Sequence, residues 1–224
     1  MLSKIVESLA AAVADVHDGA SILIGGFGGA GVPDGLIEAL MQQGARGLTL
    51  VLNNAGREDA GVARLMKHDR VAKLICTFPE AKTSYVFREK FLAGKIKLEL
   101  VPQGTLAERI RAGGSGIEGF YTPTGVGTEV AAGKETMEFN GVTCILERAL
   151  RADFAFVRAK AADRWGNLVY NQASRNFNPV MAMAGKVAIA EVDEIVELGV
   201  LDPERVVTPG VFVQRVVKTQ VLNG

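Results

Sequence analysis

Ser21-Ile22-Leu23-Ile24-Gly25-Gly26-Phe27-Gly28-Gly29-Ala30-Gly31-Val32-Pro33-Asp34 reads as a strand, a turn and the start of a helix. Ser21 to Ile24 form a short apolar strand, Gly25 to Gly31 a glycine loop, and Val32-Pro33 its exit. Asp34 is placed to cap a helix carrying Leu36, Ile37, Leu40 and Met41 at helical spacing. Upstream, Ile5, Leu9, Ala12, Val13 and Val16 predict a first helix that Asp18-Gly19 stops. Downstream the alternation repeats: strand 48–52, helix 60–67, strand 71–78, helix 83–92, strand 96–101, helix 105–111. Strands separated by helices of about ten residues argue for an α/β fold, a mainly parallel sheet with helices on both faces. The rhythm breaks at Gly113-Gly114-Ser115-Gly116. The glycine-rich stretch Gly113 to Gly133 lacks apolar periodicity and reads as a long lid or interface loop. Further strands are expected at 142–146, 154–158, 168–170, 187–191 and 211–217. No internal repeat is visible, so residues 1–224 are read as one domain.

The chain has 224 residues, with 25 basic and 25 acidic side chains and a formal net charge of zero. That balance excludes the basic footprint of a nucleic-acid binder. No apolar run approaches the ~20 residues of a membrane span, and the N-terminus lacks the pattern of a secretory signal. A cytoplasmic protein, away from nucleic acid and membrane, is expected. Cys76 and Cys144 are far apart and outside any metal-binding spacing, as befits reduced core thiols. Mean hydropathy is +0.19, and 26 glycines stand against 7 prolines. Both point to surface covered by a partner and to places where backbone approaches a ligand.

Gly26, Gly28 and Gly31 spell G-x-G-x-x-G, which invites a dinucleotide-binding reading. That reading also requires an acidic residue closing the next strand, about 20 positions on. The second strand ends instead in Asn53-Asn54. His17 and His68 lie in charged or helix-ending segments without a neighbouring nucleophile and read as surface residues. No nucleophile elbow, phosphate-binding loop or metal-ligand spacing occurs. What remains are amides at the C-terminal ends of strands, where open α/β sheets bind ligands: Asn53, Asn54 and Gln103. Such side chains can donate to a developing oxyanion or a carboxylate, or can simply cap turns.

Taken in order, these residues resemble the A (alpha) subunits of class I coenzyme A transferases. The likeness runs from Asp18-Gly19-Ala20-Ser21 to Gly25-Gly26-Phe27 and Gly31-Val32-Pro33, then through Asn53-Asn54-Ala55-Gly56 and Val101 to Arg109. It continues with Phe120 to Thr128, Gly166-Asn167-Leu168, Ala173 to Pro179 and Thr208-Pro209-Gly210, so it covers nearly the whole chain. The resemblance implies transfer of coenzyme A from succinyl-CoA to a 3-oxo acid through a glutamyl-CoA thioester, with coenzyme A as substrate and no permanently bound cofactor or metal. It makes Asn53 and Gln103 the oxyanion or substrate-carboxylate donors. It also makes Gly25, Gly26, Phe27, Gly28, Gly29, Ala30 and Gly31 the coenzyme A contact. In the family the nucleophilic glutamate belongs to the B (beta) subunit. Here Glu118-Gly119 and Glu197-Leu198-Gly199 lack its sequence context. Half an active site is therefore expected, completed by a B subunit in an α2β2 assembly, with residues 113–130 supplying much of the contact. Asp163 to Asn167 and Met181 to Ala184 look most like 3-oxoadipate enzymes, whereas Gln103 to Arg111 and Phe120 to Thr128 suit acetoacetate enzymes equally. Arg164 reads either as a partner for a second carboxylate or as a surface turn residue. The competing readings are part of an acetate or butyrate transferase, part of a decarboxylase of the same fold, and a coenzyme A or nucleotide-binding module without chemistry.

Overall fold

In a computed structural model, which describes residues 3–219, the chain forms two sheets. Helix α1 (Leu9–Val13) leads into strand β1 (Ser21–Ile24), then α2 (Asp34–Gln43), β2 (Leu48–Asn54), α3 (Val62–Lys67), β3 (Val71–Phe78), α4 (Tyr85–Leu92), β4 (Lys97–Leu100) and α5 (Gln103–Gly114). Three short strands follow, β5 (Gly119–Thr122), β6 (Thr136–Phe139) and β7 (Val142–Arg148). The chain then returns through β8 (Ala152–Asp163), β9 (Leu168–Val169), α6 (Asn178–Ala184), β10 (Gly185–Val196) and β11 (Arg215–Lys218). The large sheet has the order β11-β10-β8-β1-β2-β3-β4, all parallel, with β9 antiparallel beside β8. Successive strands step outward from β1 to β4. The chain then crosses to the other side of β1 with β8, so the order reverses beside β1, where such sheets open a ligand crevice.

Alternation along β1 shows why both faces are covered. Ile22 and Ile24 pack with Leu36, Ile37, Leu40, Leu65 and Phe87 of α2, α3 and α4. Leu23 points the other way, toward Leu106 and Ile110 of α5 and Met181 of α6. Side chains at successive strand positions face opposite sides, so one short apolar run feeds both cores. Strands β8 and β10 run well past the end of β1: Ile24 pairs with Phe156, and β8 continues to Asp163.

Three expectations need correction. The first helix does not begin at Ile5, which instead forms a parallel bridge to Val216 of β11. Ser8 caps the helix, its Oγ accepting from Ala11 N–H at 3.1 Å. Asp34 does not cap α2 either; it is the first helical residue, and the Leu36 N–H donates to Glu191 Oε2 at 3.0 Å. A buried carboxylate from β10 thus takes the role expected of a local cap. Gly113 to Gly133 is not one long loop: α5 runs to Gly114, and Gly119 to Thr122 form β5. With β6 and β7, β5 makes a small antiparallel sheet that long-range pairing holds together. Buried Glu147 on β7 pairs with Lys134, just ahead of β6, at 2.6 Å, and Arg109 of α5 lies 3.9 Å from it while reaching Glu99 at 2.9 Å, which ties the sheet to α5.

Two consecutive turns of the large sheet repeat one shape. Phe27 bridges Ala30 after β1, and Arg57 bridges Ala60 after β2. Each turn runs on into Ala-Gly-Val (residues 30–32 and 60–62), with Gly31 and Gly61 at φ +67° and +54°.

Candidate active site

The C-terminal ends of β1, β2 and β3 open into a cavity of about 300 Å³. Its walls are the turn after β1 (Gly25 to Gly29), the strand end Leu52 to Asn54, the turn after β2, and Phe78 with the segment leading to Ser84. Apolar side chains from both turns and from Phe78 make up most of the lining, with a few polar groups among them, the usual composition of a small-molecule site.

Asn53 is buried, and its neighbours form a chain of amides. Gln103 Nε2 donates to Asn53 Oδ1 at 2.8 Å, and Asn53 Nδ2 donates to Asn54 Oδ1 at 2.8 Å. The parallel register of β2, β3 and β4 sets this up, because Gln103 opens α5 two strands away from Asn53. Each primary amide has two N–H groups, so Asn53 and Gln103 each retain one to offer outward. Asn53 lines the cavity; Gln103 does not, and meets the site from the β4 side through Asn53.

Of the glycine loop, Gly25, Gly26, Phe27, Gly28 and Gly29 line the cavity, whereas Ala30 and Gly31 do not. Packing explains several of these glycines without a ligand. A Cβ on Gly25 would stand 1.8 Å from Asn178 Oδ1, and one on Gly31 would stand 2.2 Å from the Ser174 carbonyl. Gly28 has no neighbour within 4 Å of that position, and Gly29 meets only Arg57. Among the described residues, their N–H groups at the tip of the turn make no backbone hydrogen bond. Gly28 and Gly29 sit at φ +59° and +93°, which by itself favours glycine, and unlike Gly25 and Gly31 they leave the backbone at the tip of the turn open to approach.

Sequence reasoning missed the residues that hold this loop in place. Asn176 Oδ1 accepts from Gly26 N–H at 3.1 Å, while its Nδ2 donates to the Ala30 carbonyl at 3.0 Å. Fully buried Asn178 accepts from Arg158 N–H and donates to the carbonyls of Gly31 and Ser174. In the sequence they stand as an Asn-x-Asn-Pro run at the start of a helix, inside the Ala173 to Pro179 stretch of the family likeness, and nothing there names their partners.

Titratable groups are sparse at the site. Asp34 is its one acidic lining residue and Arg57 its one basic one among the described residues. Cys76 sits in β3 beneath, and burial pushes its thiol up to about 12, which removes it as a thiolate nucleophile. Neither glutamate considered from the sequence reaches the cavity. Glu118 pairs with Arg151 at 2.8 Å, and that hydrogen bond holds its carboxyl below the usual range; Glu197 lies exposed in the turn after β10. His17 and His68 are exposed, and both cysteines are free and buried. No group of three metal-ligating side chains occurs among the described residues, and no helix there is long and apolar enough to cross a membrane.

A parallel α/β sheet with amide donors at its strand ends is an architecture suited to acyl transfer by oxyanion stabilisation. The chain belongs to the coenzyme A transferase family, whose pattern matches residues 6–219. It is 56% identical to the A subunit of the 3-oxoadipate CoA-transferase of Pseudomonas putida, over 97% of this chain and 94% of that one. It is 49% identical to the A subunit of a probable succinyl-CoA:3-ketoacid coenzyme A transferase of Bacillus subtilis, over 96% and 90%. Among solved structures, an Escherichia coli acyl-CoA transferase superposes with a TM-score of 0.85 at 24% identity; the match takes in 97% of this chain but 50% of that one. The decarboxylase AibA/AibB superposes with a TM-score of 0.82 at 26% identity, over 97% and 84%.

Proposed function

We propose that this chain is the A subunit of a two-chain enzyme that moves coenzyme A from succinyl-CoA to a 3-oxo acid, 3-oxoadipate or acetoacetate. The observation that carries the reading is the cavity at the ends of β1 and β2. It offers a buried amide and two backbone N–H groups with no hydrogen bond among the described residues, and neither Glu118 nor Glu197 reaches it. A glutamate of the partner chain supplies the missing carboxylate. Its oxygen attacks the thioester carbonyl, the C–S bond breaks, and a mixed anhydride and a coenzyme A thiolate result. The thiolate attacks the glutamyl carbonyl, breaking the anhydride, releasing succinate and leaving a glutamyl thioester. The acceptor acid runs the same two steps in reverse, so kinetics are ping-pong. Each attack places negative charge on a carbonyl oxygen, and fixed donors aimed at that charge are the largest lever available to such a site. Asn53, supported by Gln103, fills that role or holds the substrate carboxylate, and Gly28-Gly29 let the thioester come close.

The partner also accounts for exposed apolar surface. Phe27, Phe78 and Tyr85 stand half exposed beside the cavity, and Met137, Phe139 and Val142 on the small sheet. An obligate interface would bury roughly 2,000 Å² or more and would exclude water that could hydrolyse the intermediate. The expected assembly is α2β2 and cytoplasmic. The test is succinyl-CoA transfer to 3-oxoadipate and to acetoacetate, assayed for this chain alone and after co-expression with its partner. Activity in the mixture alone supports the reading; activity of the isolated chain overturns it.

A further inference from the structure

Arg57 is the one basic side chain lining the cavity among the described residues. It starts the second turn, four residues past Asn53, and is exposed. Its Nη1 reaches back across the mouth to the first turn, 3.4 Å from where a Cβ on Gly29 would stand. Among the described residues it makes no ion pair, although acids are close in sequence. Glu58, next to it, forms no ion pair among the described residues, Asp59 is taken by Lys67, and Asp34, distant in sequence but lining the same cavity, has its Oδ1 toward Gly61, 3.5 Å from the place of its Cβ. An exposed guanidinium at the mouth of a mostly apolar cavity is open to an anion that enters it, and its planar fork matches a carboxylate better than a lysine would.

We propose that Arg57 is a specificity-determining residue that binds the second carboxylate of a dicarboxylic substrate, the end remote from the thioester. The inference rests on the coenzyme A transfer reading above. Both the succinyl group and 3-oxoadipate present such a carboxylate; acetoacetate does not. The amides at Asn53 hold the reacting end, Arg57 the far end, so a diacid is held twice and a mono-acid once. The arginine considered from the sequence, Arg164, does not line the cavity. It sits between β8 and β9, where its carbonyl accepts from Lys4 N–H at 2.9 Å.

The test uses the two-chain complex carrying Arg57→Gln or Arg57→Lys. In a ping-pong reaction kcat/KM for each substrate is independent of its co-substrate, so succinate, 3-oxoadipate, acetoacetate and acetoacetyl-CoA can each be read separately. Arg57→Gln should lower kcat/KM for succinate and 3-oxoadipate by about tenfold to a hundredfold, the usual size of a charge-assisted contact. The values for acetoacetate and acetoacetyl-CoA should move by less than about threefold, and Arg57→Lys should recover part of the loss. A fall confined to the acyl-CoA substrates, acetoacetyl-CoA included, would assign Arg57 to a coenzyme A phosphate and overturn the proposal. So would an equal fall for every substrate, or no change for any. If the wild-type complex transfers no coenzyme A, the functional reading has failed instead; calorimetric titration of wild-type and Arg57→Gln complexes with succinate then tests the contact by itself, and equal affinities would overturn it.

Discussion

Gln103 and Asn53 are fifty positions apart in sequence yet share a 2.8 Å hydrogen bond, so their contributions should not be independent. Replacing Asn53 by Ala in the two-chain complex should lower kcat by about 10²- to 10³-fold, the cost of one oxyanion donor. Gln103→Ala removes the group that orients Asn53. The double variant should therefore be little slower than Asn53→Ala, where independent residues would multiply their losses. Steady-state rates of the three variants, with circular dichroism to confirm folding, read this directly; activity within a factor of a few of wild type in both single variants would remove these residues from the site. Both amides were legible in the sequence because each follows a predicted strand of a parallel sheet, where position alone suggests a ligand. Asn176 and Asn178 were not, because their roles depend on a loop some 150 residues away that no local pattern names. Arg57 was passed over for a related reason: only the fold shows which arginine faces the cavity.

The two turns after β1 and β2 separate structural glycines from functional ones. Gly31→Ala drives a Cβ to 2.2 Å from the Ser174 carbonyl at a φ of +67°, so it should destabilise by several kcal/mol and lower Tm sharply. Gly28→Ala meets open space and adds only the strain of its φ of +59°, about 1 kcal/mol. It should fold normally and lose activity if backbone approach at the turn matters. Thermal melts and kcat of the pair together distinguish the two. The joint between β1 and β8 makes a separate prediction. Asp153 accepts from Ser21 Oγ at 2.7 Å, from Ser21 N–H at 3.1 Å and from Lys186 at 3.0 Å, and these bonds hold its carboxyl at about 2. A carboxyl lowered in the folded state adds stability above its unfolded value near 4 and loses it as pH falls toward 2, worth about 1–2 kcal/mol here. Asp153→Asn should flatten the pH dependence of stability between about pH 4 and 2, as followed by urea unfolding. An unchanged slope would mean that the bonds are not formed in solution. At this scale β1 and β3 were legible to the residue, whereas the strand expected at 211–217 is a short turn of helix at Gly210–Phe212 followed by β11 at Arg215–Lys218. Of the small sheet, β7 was expected at 142–146 and runs over Val142–Arg148, whereas β5 and β6 were not legible: both are short and half-polar, and β5 pairs with a strand more than twenty residues on.

For the whole molecule, the parallel α/β architecture followed from alternating strands and helices, and the extension of β8 and β10 beyond the common sheet edge did not. The surplus of apolar side chains is seen in the structure as exposed aromatic and aliphatic groups around the cavity and on the small sheet. On the proposed reading, this chain carries the donors and its partner the nucleophile, so neither is active alone. The most direct measurement is the intact mass of each chain after the two-chain complex has been incubated with succinyl-CoA and quenched in acid. The account predicts a coenzyme A adduct on the partner chain, with none on this one. An adduct on this chain, mapped by peptide analysis to Glu118, Glu197 or any other residue, would contradict it.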